Sequence, residues 1–464
     1  MIRKLLLIGV AALLAAFWMR QTFVAEPANA AVSQTSPSQQ TQPVGTSGSS
    51  GAKPGSFDAE IGRHAQQMIE EGRKIFRFDT FGDEAFWGDQ LKLHQAIAGA
   101  KFGGVGAGLS PAKALELGLK VDSEMVPAQV ASGIKAGTVD LNDPANTLAL
   151  LKVDAVVGVK AFMEPNGNVR SIGIQCALCH STVDDSFAPG IGRRRDGWPN
   201  RDLNVGAIVA LAPNLKPFSD LLGVDAATVK KVLTSWGPGR YDAELDKDGK
   251  AFGPNGRNAS TVLPAAFGLA GVNLHTYSGW GGVPYWNAYV ANTQMHGKGT
   301  FFDPRLKDKE KFPVAAKHGF DNIRNTPDLI TPKLAALQFY QLSIPAPKPP
   351  AGSFDQTAAS RGEKVFMGEA KCATCHVPPL FTEPGWPMHS AKEIGIDDFQ
   401  SARSPDQMYR TTPLRGLFTR EKGGFYHDGR FKTLDQVVQH YEKALAVTLN
   451  DQQKRDLVQY LRSL

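Results

Sequence analysis

The sequence predicts a mainly α-helical protein with two domains, the first of them enlarged by long loops. Apolar residues recur at helical spacing from Ile61 to Ile75, after Asp58 as the expected N-cap, and again from Leu457 to Leu464. Strand patterns are sparse. The stretch 198–282 is rich in Gly, Pro and Asn, so we expect long structured loops there.

The first 30 residues have the pattern of a secretory signal peptide. Arg3 and Lys4 precede an apolar run from Leu5 to Trp18, and Ala-Asn-Ala at 28–30 fits the small-x-small cleavage rule. That run is shorter than the roughly 18 to 20 residues that span a bilayer. We therefore expect export to the periplasm with cleavage after residue 30 and no stable membrane anchor, an uncleaved anchor being the alternative.

Composition and charge exclude some classes of partner. The chain has 464 residues, of which 42% are hydrophobic and 21% charged, as is typical of globular proteins with two or three domains. Its formal net charge is only +6. An excess this small, at this length, indicates neither nucleic acid nor a membrane surface as a partner.

Two segments divide the chain. Residues 31–57 are mostly Ser, Gln, Thr, Gly and Pro, and they contain too few apolar side chains to offset the entropy of ordering. They are predicted to form a disordered linker. A proline-rich stretch at 346–354 favours an extended connection. The expected domains are therefore 58–345 and 355–464.

All four cysteines of the chain lie in two copies of one pattern, Cys-x-x-Cys-His. In an exported chain this spacing indicates covalent haem attachment, because the two thiols form thioethers with the haem and the adjacent imidazole binds the iron. A zinc site of four thiolates would leave both histidines without a role, and disulfides rarely join cysteines three apart. The sequence predicts two haem c groups, held by Cys176, Cys179 and His180 and by Cys372, Cys375 and His376.

Two further segments of the N-terminal domain carry charge. An arginine-rich loop at 187–204 follows the first motif, and we interpret it either as a source of hydrogen-bond donors for haem propionates or as a surface arginine cluster. Acidic residues at 242–248 resemble a calcium loop. Position twelve, counted from Glu244, is however Asn255 and not the bidentate Glu. We interpret this segment as a solvated acidic turn.

Residues 355–464 resemble a cytochrome c domain, with Ala-Ser-Arg-Gly-Glu-Lys-Val-Phe at 359–366 before the haem motif and 456–464 as the closing helix. Three short segments are more specific. Thr-Pro-Leu-Arg-Gly at 412–416, Phe-Tyr-His-Asp-Gly at 425–429 and Thr-Leu at 433–434 resemble the signature of the bacterial dihaem cytochrome c peroxidase and MauG family. With both haem motifs, the resemblance extends loosely over residues 171–464.

The resemblance implies a division of labour between the haems. The C-terminal haem would take electrons from a small periplasmic donor of cytochrome c or cupredoxin type, and the N-terminal haem would react with peroxide or another small oxidant. Trp286 resembles the tryptophan that relays electrons between the haems in this family, although the usual Asp-Gly-Arg does not follow it. A core tryptophan is the alternative. The family's catalytic Glu above the N-terminal haem has no match in this sequence.

The resemblance also implies a sixth ligand for the C-terminal haem, a Met or Tyr fourteen residues after the His of His-Asp-Gly. Counted from His427, that position is Tyr441. Thr433 and Gln436 form a predicted capping box before it. Leu434, Val437 and Val438 share its helical face, which should meet the haem. Other candidates are His440, Met388 and Met408 for this haem, and His94, His275 and His296 for the N-terminal haem.

These observations favour a dihaem oxidoreductase in which the C-terminal haem supplies electrons for peroxide reduction at the N-terminal haem. Two one-electron centres suit a two-electron reduction. The alternatives are a dihaem electron carrier without catalysis and a dihaem oxygenase of the rubber-cleaving type.

Overall fold

The computed structural model describes residues 55–464, and helices predominate there, as the sequence predicts. The α-helices are α1 (Phe57–Phe78), α2 (Leu93–Ala98), α3 (Pro111–Glu116), α4 (Ala128–Lys135), α5 (Pro144–Lys152), α6 (Ala177–His180), α7 (Val205–Val209), α8 (Lys216–Leu222), α9 (Ala226–Ser235), α10 (Leu245–Asp248), α11 (Val283–Thr293), α12 (Pro313–His318), α13 (Leu334–Ser343), α14 (Gln356–Met367), α15 (Phe399–Ala402), α16 (Leu434–Ala444) and α17 (Asp451–Ser463). A π-helix spans Ala85–Gln90, and 3-10 turns span Ala100–Phe102, Pro304–Lys307, Thr331–Lys333, Cys372–Thr374 and Leu417–Arg420.

The predicted signal peptide, residues 1–30, and the predicted linker up to residue 54 lie outside the described residues. Within residues 55–464, no helix is both long enough and apolar enough to cross a membrane.

The strands are short and pair two at a time across the described range. They are β1 (Val121–Asp122), β2 (Val159–Met163), β3 (Val169–Ile174), β4 (Ser181–Val183), β5 (Ile191–Gly192), β6 (Arg194–Asp196), β7 (Arg240–Tyr241), β8 (Thr261–Val262), β9 (Thr300–Phe302) and β10 (Asn322–Arg324). The β2–β3, β4–β6, β7–β8 and β9–β10 pairs are antiparallel, and β1–β5 is parallel. Pairs this small cannot form a core layer, so the packing is helical.

Helix α1 packs against α13 through its C-terminal half. Of its predicted apolar face, Ile61 is 52% exposed whereas Gly72 is buried. A Cβ on Gly72 would lie 1.9 Å from the carbonyl oxygen of Ala336, so only glycine lets the two backbones approach this closely. The helix begins at Phe57. Asp58 therefore lies in the first turn and not at the predicted N-cap, and there its charge favours the helix dipole.

Helices α14 and α17 cross in the same way at the C-terminal end. A Cβ on Gly362 would lie 2.0 Å from the backbone oxygen of Asp456. Beside it, the guanidinium group of Arg361 donates two hydrogen bonds to the Asp456 carboxylate, at 2.7 and 2.8 Å. This crossing positions the second Cys-x-x-Cys-His motif, which follows α14 directly.

The stretch 198–282 differs in part from its prediction. Helices α7 to α10 occupy much of residues 205–248, where the sequence predicts loops. Helix α9, for example, has Asp225 as N-cap, accepting from the Thr228 N–H, and buries Val229, Val232 and Leu233. The Gly, Pro and Asn residues that led to the prediction lie largely between these short helices. From 249 to 282 the chain is mostly irregular, as predicted.

Residues Phe57–Leu464 form one compact unit by their contacts. Three of its apolar clusters are built from buried residues between 75 and 340. A fourth draws its buried residues only from 365–464, the range of the predicted cytochrome c domain. The division into two haem domains at 346–354 stays a prediction.

Candidate cofactor sites

The two Cys-x-x-Cys-His motifs share one backbone hydrogen bond, although the first ends in helix α6 and the second begins with a 3-10 turn. In the first, the His180 N–H donates to the Cys176 carbonyl oxygen at 3.2 Å. In the second, the His376 N–H donates to the Cys372 carbonyl oxygen at 2.9 Å. Positions one, four and five of a helical turn share a face, so each motif presents its two thiols and its imidazole together.

Both imidazoles are held by a backbone carbonyl. His180 Nδ1 lies 3.2 Å from Pro264 O, and His376 Nδ1 lies 3.0 Å from Phe381 O. A carbonyl only accepts, so Nδ1 carries the proton and Nε2 keeps its lone pair. Burial lowers the pKa of both imidazoles, which keeps them neutral. A neutral imidazole fixed through Nδ1 has the arrangement of a metal ligand.

The four thiols do not have the properties of a redox pair. All four are free, and burial raises the pKa of Cys176, Cys179 and Cys372 to about 12. Catalytic Cys-x-x-Cys thiols have lowered pKa values instead. Nor do the four meet at one metal site. Among the described residues, Cys375 alone of them belongs to a group with metal-ligand geometry, and its two partners there, Glu383 and His389, already pair at 2.7 Å.

A cavity of about 420 Å³ adjoins the second motif, and Cys372, Cys375 and His376 line it. We call it the large cavity. Its wall is largely apolar, formed by Phe366, Leu414, Leu417, Phe425, Leu457 and Leu461 among others. The predicted face of α16 also lines it, with Leu434, Val437, Val438 and Tyr441. That this face meets a haem stays a prediction. The predicted capping box is only half present: Thr433 Oγ accepts from Gln436 N–H, but the Gln436 side chain accepts from Lys432 N–H.

One part of the large cavity is cationic. Arg201, Arg410 and Arg420 line it together with Tyr277. Burial is the main cause that lowers the pKa of all three guanidinium groups, to about 10 for Arg410 and Arg420. Each keeps one buried nitrogen without a hydrogen-bond partner, and none forms an ion pair within the described part of the chain. Buried cations without anions are costly, so this end requires negative charge.

The large cavity therefore fits the group that the sequence predicts. A haem is an apolar macrocycle with two carboxylates at one edge. The apolar wall matches the macrocycle, the arginines match the carboxylates, and His376 offers its Nε2 lone pair beside the two thiols. The number of haems in the protein and their covalent attachment stay predictions.

Of the candidate sixth ligands at this site, Tyr441 lines the large cavity. His440 does not, because its Nε2 contacts Ile394 O at 2.9 Å. Met388, which packs against Gly279, and Met408 are also outside the lining. The role of Tyr441 as a ligand stays a prediction.

The sequence did not predict which histidines reach the large cavity. His275, a candidate for the N-terminal haem, lines this cavity beside the second motif instead, with Nδ1 unpartnered. His427 and His389 line it too. Arg410 and Arg420 were also missed, although they flank the Thr412–Gly416 signature on both sides.

The first motif lies where two apolar clusters meet. Cys176 packs against the cluster that contains Phe76 and Met295, and Cys179 against the one that contains Leu178 and Trp236. A small cavity of about 50 Å³ lies nearby, lined by Tyr241, Asp242, Asp246, Trp87 and His296 among others. Tyr241 is close enough to Cys179 for their charges to interact.

Ionisation is suppressed around the small cavity. Burial lowers the pKa of His296 to about 3 and raises that of Asp242 to about 6. Of the other candidates for the N-terminal haem, His94 lies on α2 and lines neither cavity. His296 is thus the candidate that lies near the first motif.

The acidic segment 242–248 is not the solvated turn that the sequence indicates. Asp242, Glu244 and Asp248 are each at most 5% exposed. The buried Arg403 binds Asp248 at 2.8 and 3.0 Å and Asp242 at 3.0 Å. The prediction was wrong because an arginine 155 positions after Asp248 compensates these charges.

Trp286 lies in a buried aromatic cluster on α11. Its ring is 5.3 Å from Trp280 and 6.2 Å from Tyr289, and its Nε1 donates to Gly281 O at 3.1 Å. It lines neither the large nor the small cavity. Its role as an electron relay stays a prediction.

The loop 187–204 contributes one side chain to the large cavity. Arg194 pairs with Asp122 at 3.0 Å, and Arg195 lies 3.5 Å from Asp184. Only Arg201 of this loop's arginines lines the cavity. The loop therefore combines two exposed arginines, Arg193 and Arg195, with one arginine that lines the cavity, and its role as a source of donors stays a prediction.

No family model matches this chain. The methylamine utilization protein MauG of Methylorubrum extorquens is 28% identical over 172 residues, an alignment that covers 33% of this chain and 45% of that protein. Hydrazine synthase of Kuenenia stuttgartiensis, solved under xenon, is 19% identical over 46% of this chain and 75% of the synthase chain. The TM-score of this match is 0.27, which is too low to support an argument. The similarity to MauG agrees with the resemblance read from residues 412–434.

Proposed function

We propose that this chain is an exported dihaem c-type cytochrome that reduces peroxide. A small periplasmic donor of cytochrome c or cupredoxin type delivers electrons to the haem at Cys372 and Cys375. They pass to the haem at Cys176 and Cys179, where peroxide takes up two electrons and two protons and gives two waters. The partial similarity to MauG and the signal-like N-terminus support this proposal.

One observation carries the proposal. Both motif histidines, His180 and His376, are neutral and fixed through Nδ1 to a backbone carbonyl, at 3.2 and 3.0 Å. In both motifs, a histidine fixed through Nδ1 lies beside two half-buried thiols. A histidine that served only packing would not need this arrangement. Haem bound there supplies one-electron chemistry at each motif.

Differences between the two sites support different tasks. At the second motif, a largely apolar wall surrounds the large cavity, and three arginines can bind an anion. Near the first motif, the small cavity keeps its histidine neutral and raises the pKa of its carboxylates. A small uncharged molecule such as hydrogen peroxide is the ligand that such a pocket admits at least cost.

The test uses protein matured with covalent haem. Pyridine haemochrome analysis should give two haems per chain that acid-acetone does not extract. Hydrogen peroxide should then reoxidise the reduced protein rapidly, and His180→Ala should abolish this reaction. His64→Ala, an exposed histidine on α1, is the control and should react like the parent protein.

Two results would contradict the proposal. Haem that acid-acetone removes would exclude covalent attachment. Two low-spin haems that ignore peroxide and cyanide, with turnover no faster than that of free haem, would identify an electron carrier.

A further inference from the structure

Three arginines from distant parts of the chain meet in the large cavity. Arg201 follows the first motif closely, and the adjacent Asn200 N–H donates to the Cys179 carbonyl oxygen at 2.9 Å. Arg410 and Arg420 belong to the C-terminal part. The positive charges of Arg410 and Arg420, and of Arg420 and Arg201, are close enough to repel one another.

Backbone groups and Tyr277 hold these guanidinium groups in place. Arg410 Nε donates to Thr276 O at 2.7 Å, and Arg420 Nη1 donates to Pro413 O at 2.7 Å. Arg201 Nη1 lies 3.4 Å from Lys422 O, and its side chain also hydrogen-bonds Tyr277. Carbonyls satisfy single N–H groups but leave the charges uncompensated. Arg201, for instance, is 6% exposed, so bulk solvent compensates its charge poorly.

The carboxylates on the cavity wall are engaged elsewhere. Glu393 lies 3.0 Å from His389, and Glu442 lies 2.9 Å from Lys454. The anion that compensates the arginines must therefore come from whatever fills the cavity. The occupant is a largely apolar group with carboxylates at one edge, because apolar side chains form most of the wall.

We propose that Arg201, Arg410 and Arg420 form the propionate-binding site of the haem attached at Cys372 and Cys375, so that the N-terminal part of the chain contributes to the C-terminal haem site. This inference rests on the haem attachment in the proposed function. Planar guanidinium groups bind carboxylates through paired hydrogen bonds. Three guanidinium groups face two propionates, which leaves one positive charge in excess beside this haem.

The direction in which the excess charge shifts the reduction potential can be predicted. Oxidation of the haem adds one positive charge, and a nearby cation in a buried site disfavours it. The arginines therefore raise the reduction potential of the C-terminal haem. Arg201 makes that potential depend on a residue whose chain neighbour, Asn200, is hydrogen-bonded to the first motif.

The experiment is a redox titration of the holoprotein followed by EPR, which resolves the two ferric signals. Arg201→Gln, Arg410→Gln and Arg420→Gln should each shift the C-terminal haem toward its oxidised form by about tenfold, or about 59 mV for one electron. Arg415→Gln is the matched control, because Arg415 is exposed on the same segment, and it should change the equilibrium less than about twofold. Lys variants should restore most of the potential, since they retain the charge.

Two outcomes overturn the inference. One is a set of Gln variants that titrate like Arg415→Gln, and the other is a shift confined to the N-terminal haem. Where a Gln variant fails to accumulate, the corresponding Met variant, which also removes the charge, decides: a shift of the same sign supports the site, and no shift contradicts it. The titration needs no turnover, so a chain that holds both haems without reducing peroxide still tests the site. A chain that carries no haem at Cys372 would instead contradict the proposed function.

Discussion

The two Cys-x-x-Cys-His sites share one backbone hydrogen bond, from the His N–H to the first Cys carbonyl oxygen, but their surroundings differ. The second adjoins a cavity of about 420 Å³ with an apolar wall and a cationic part. The first is set between two packed clusters, near a cavity of about 50 Å³. Pockets for ligands of some size occupy roughly 300 to 1,000 Å³. The second site is thus preformed, whereas side chains around the first must rearrange to admit a haem.

The comparison also concerns charge. At the second site, positive groups lack partners within the described residues, so the site requires an anion. Near the first, burial suppresses charge on His296 and Asp242. In the proposed function, a preformed anion-binding site suits a permanent electron-transfer cofactor, and a pocket whose histidine stays neutral suits the reaction of a small neutral oxidant.

Removal of each thiol pair in turn should give the largest difference between the two sites. Cys176→Ala with Cys179→Ala, and Cys372→Ala with Cys375→Ala, should each leave one covalent haem per chain by pyridine haemochrome. The second variant should unfold at least about 5 °C below the first by calorimetry, because it leaves a large apolar cavity empty whereas the first site is already packed. Equal unfolding temperatures would show that the second site is not the preformed one.

Substitution of the buried Asp242 tests how burial near the first site affects charge. Its pKa is raised to about 6, mainly by burial, so the folded state favours the protonated form. The contribution of protonated Asp242 to the free energy of unfolding is largest below the unfolded pKa near 4 and is lost as pH rises through about 6. Asp242→Asn should remove this loss, so that from pH 4 to pH 7 the variant gains up to about 3 kcal/mol relative to the parent in urea unfolding.

Glu71→Gln serves as the control for this pH series, because Glu71 is exposed in the interior of α1. Its free energy of unfolding should stay within about 0.5 kcal/mol of the parent protein. A parallel course for Asp242→Asn and Glu71→Gln would contradict the raised pKa of Asp242.

Tyr441→Phe should have the smallest effect on stability and a distinct effect on the spectrum. The ring still fills the cavity, so the free energy of unfolding should change by less than about 1.5 kcal/mol. Loss of an oxygen ligand should alter the near-infrared charge-transfer band and the low-spin EPR signal of the C-terminal haem. Tyr409→Phe is the control, because Tyr409 lies on the same cavity wall but its hydroxyl donates to Asp397 O and accepts from Ser401 N–H, and it should leave both unchanged. An unchanged spectrum in Tyr441→Phe would remove Tyr441 as a ligand.

Local patterns predicted the second site well. The face shared by Leu434, Val437, Val438 and Tyr441 follows from helical periodicity alone, and it lines the large cavity as expected. The main helical character of the chain was predicted for the same reason. Residues that act within one or two turns of a helix leave a trace in the sequence.

Residues that act across the fold leave none. Nothing near Arg201 in the sequence indicates that it lines one cavity with Arg410 and Arg420. The loop 187–204 looks uniformly basic, although Arg194 pairs with Asp122 and Arg195 lies close to Asp184. Asp242 was interpreted as solvated because its partner Arg403 lies far along the chain. Asp248 and Arg403 are 155 positions apart, and contacts at such separations depend on the tertiary structure.

The composition of the large cavity's wall has a consequence for biogenesis. Its sides come from residues 201–277 and from residues 366–461. Contacts between segments so far apart in sequence form late in folding. In a chain that emerges from its N-terminus onward, Cys372 and Cys375 precede helix α17, so both thiols stay accessible until that helix docks. If haem is attached there as proposed, the interval for attachment falls before the chain closes over the cavity.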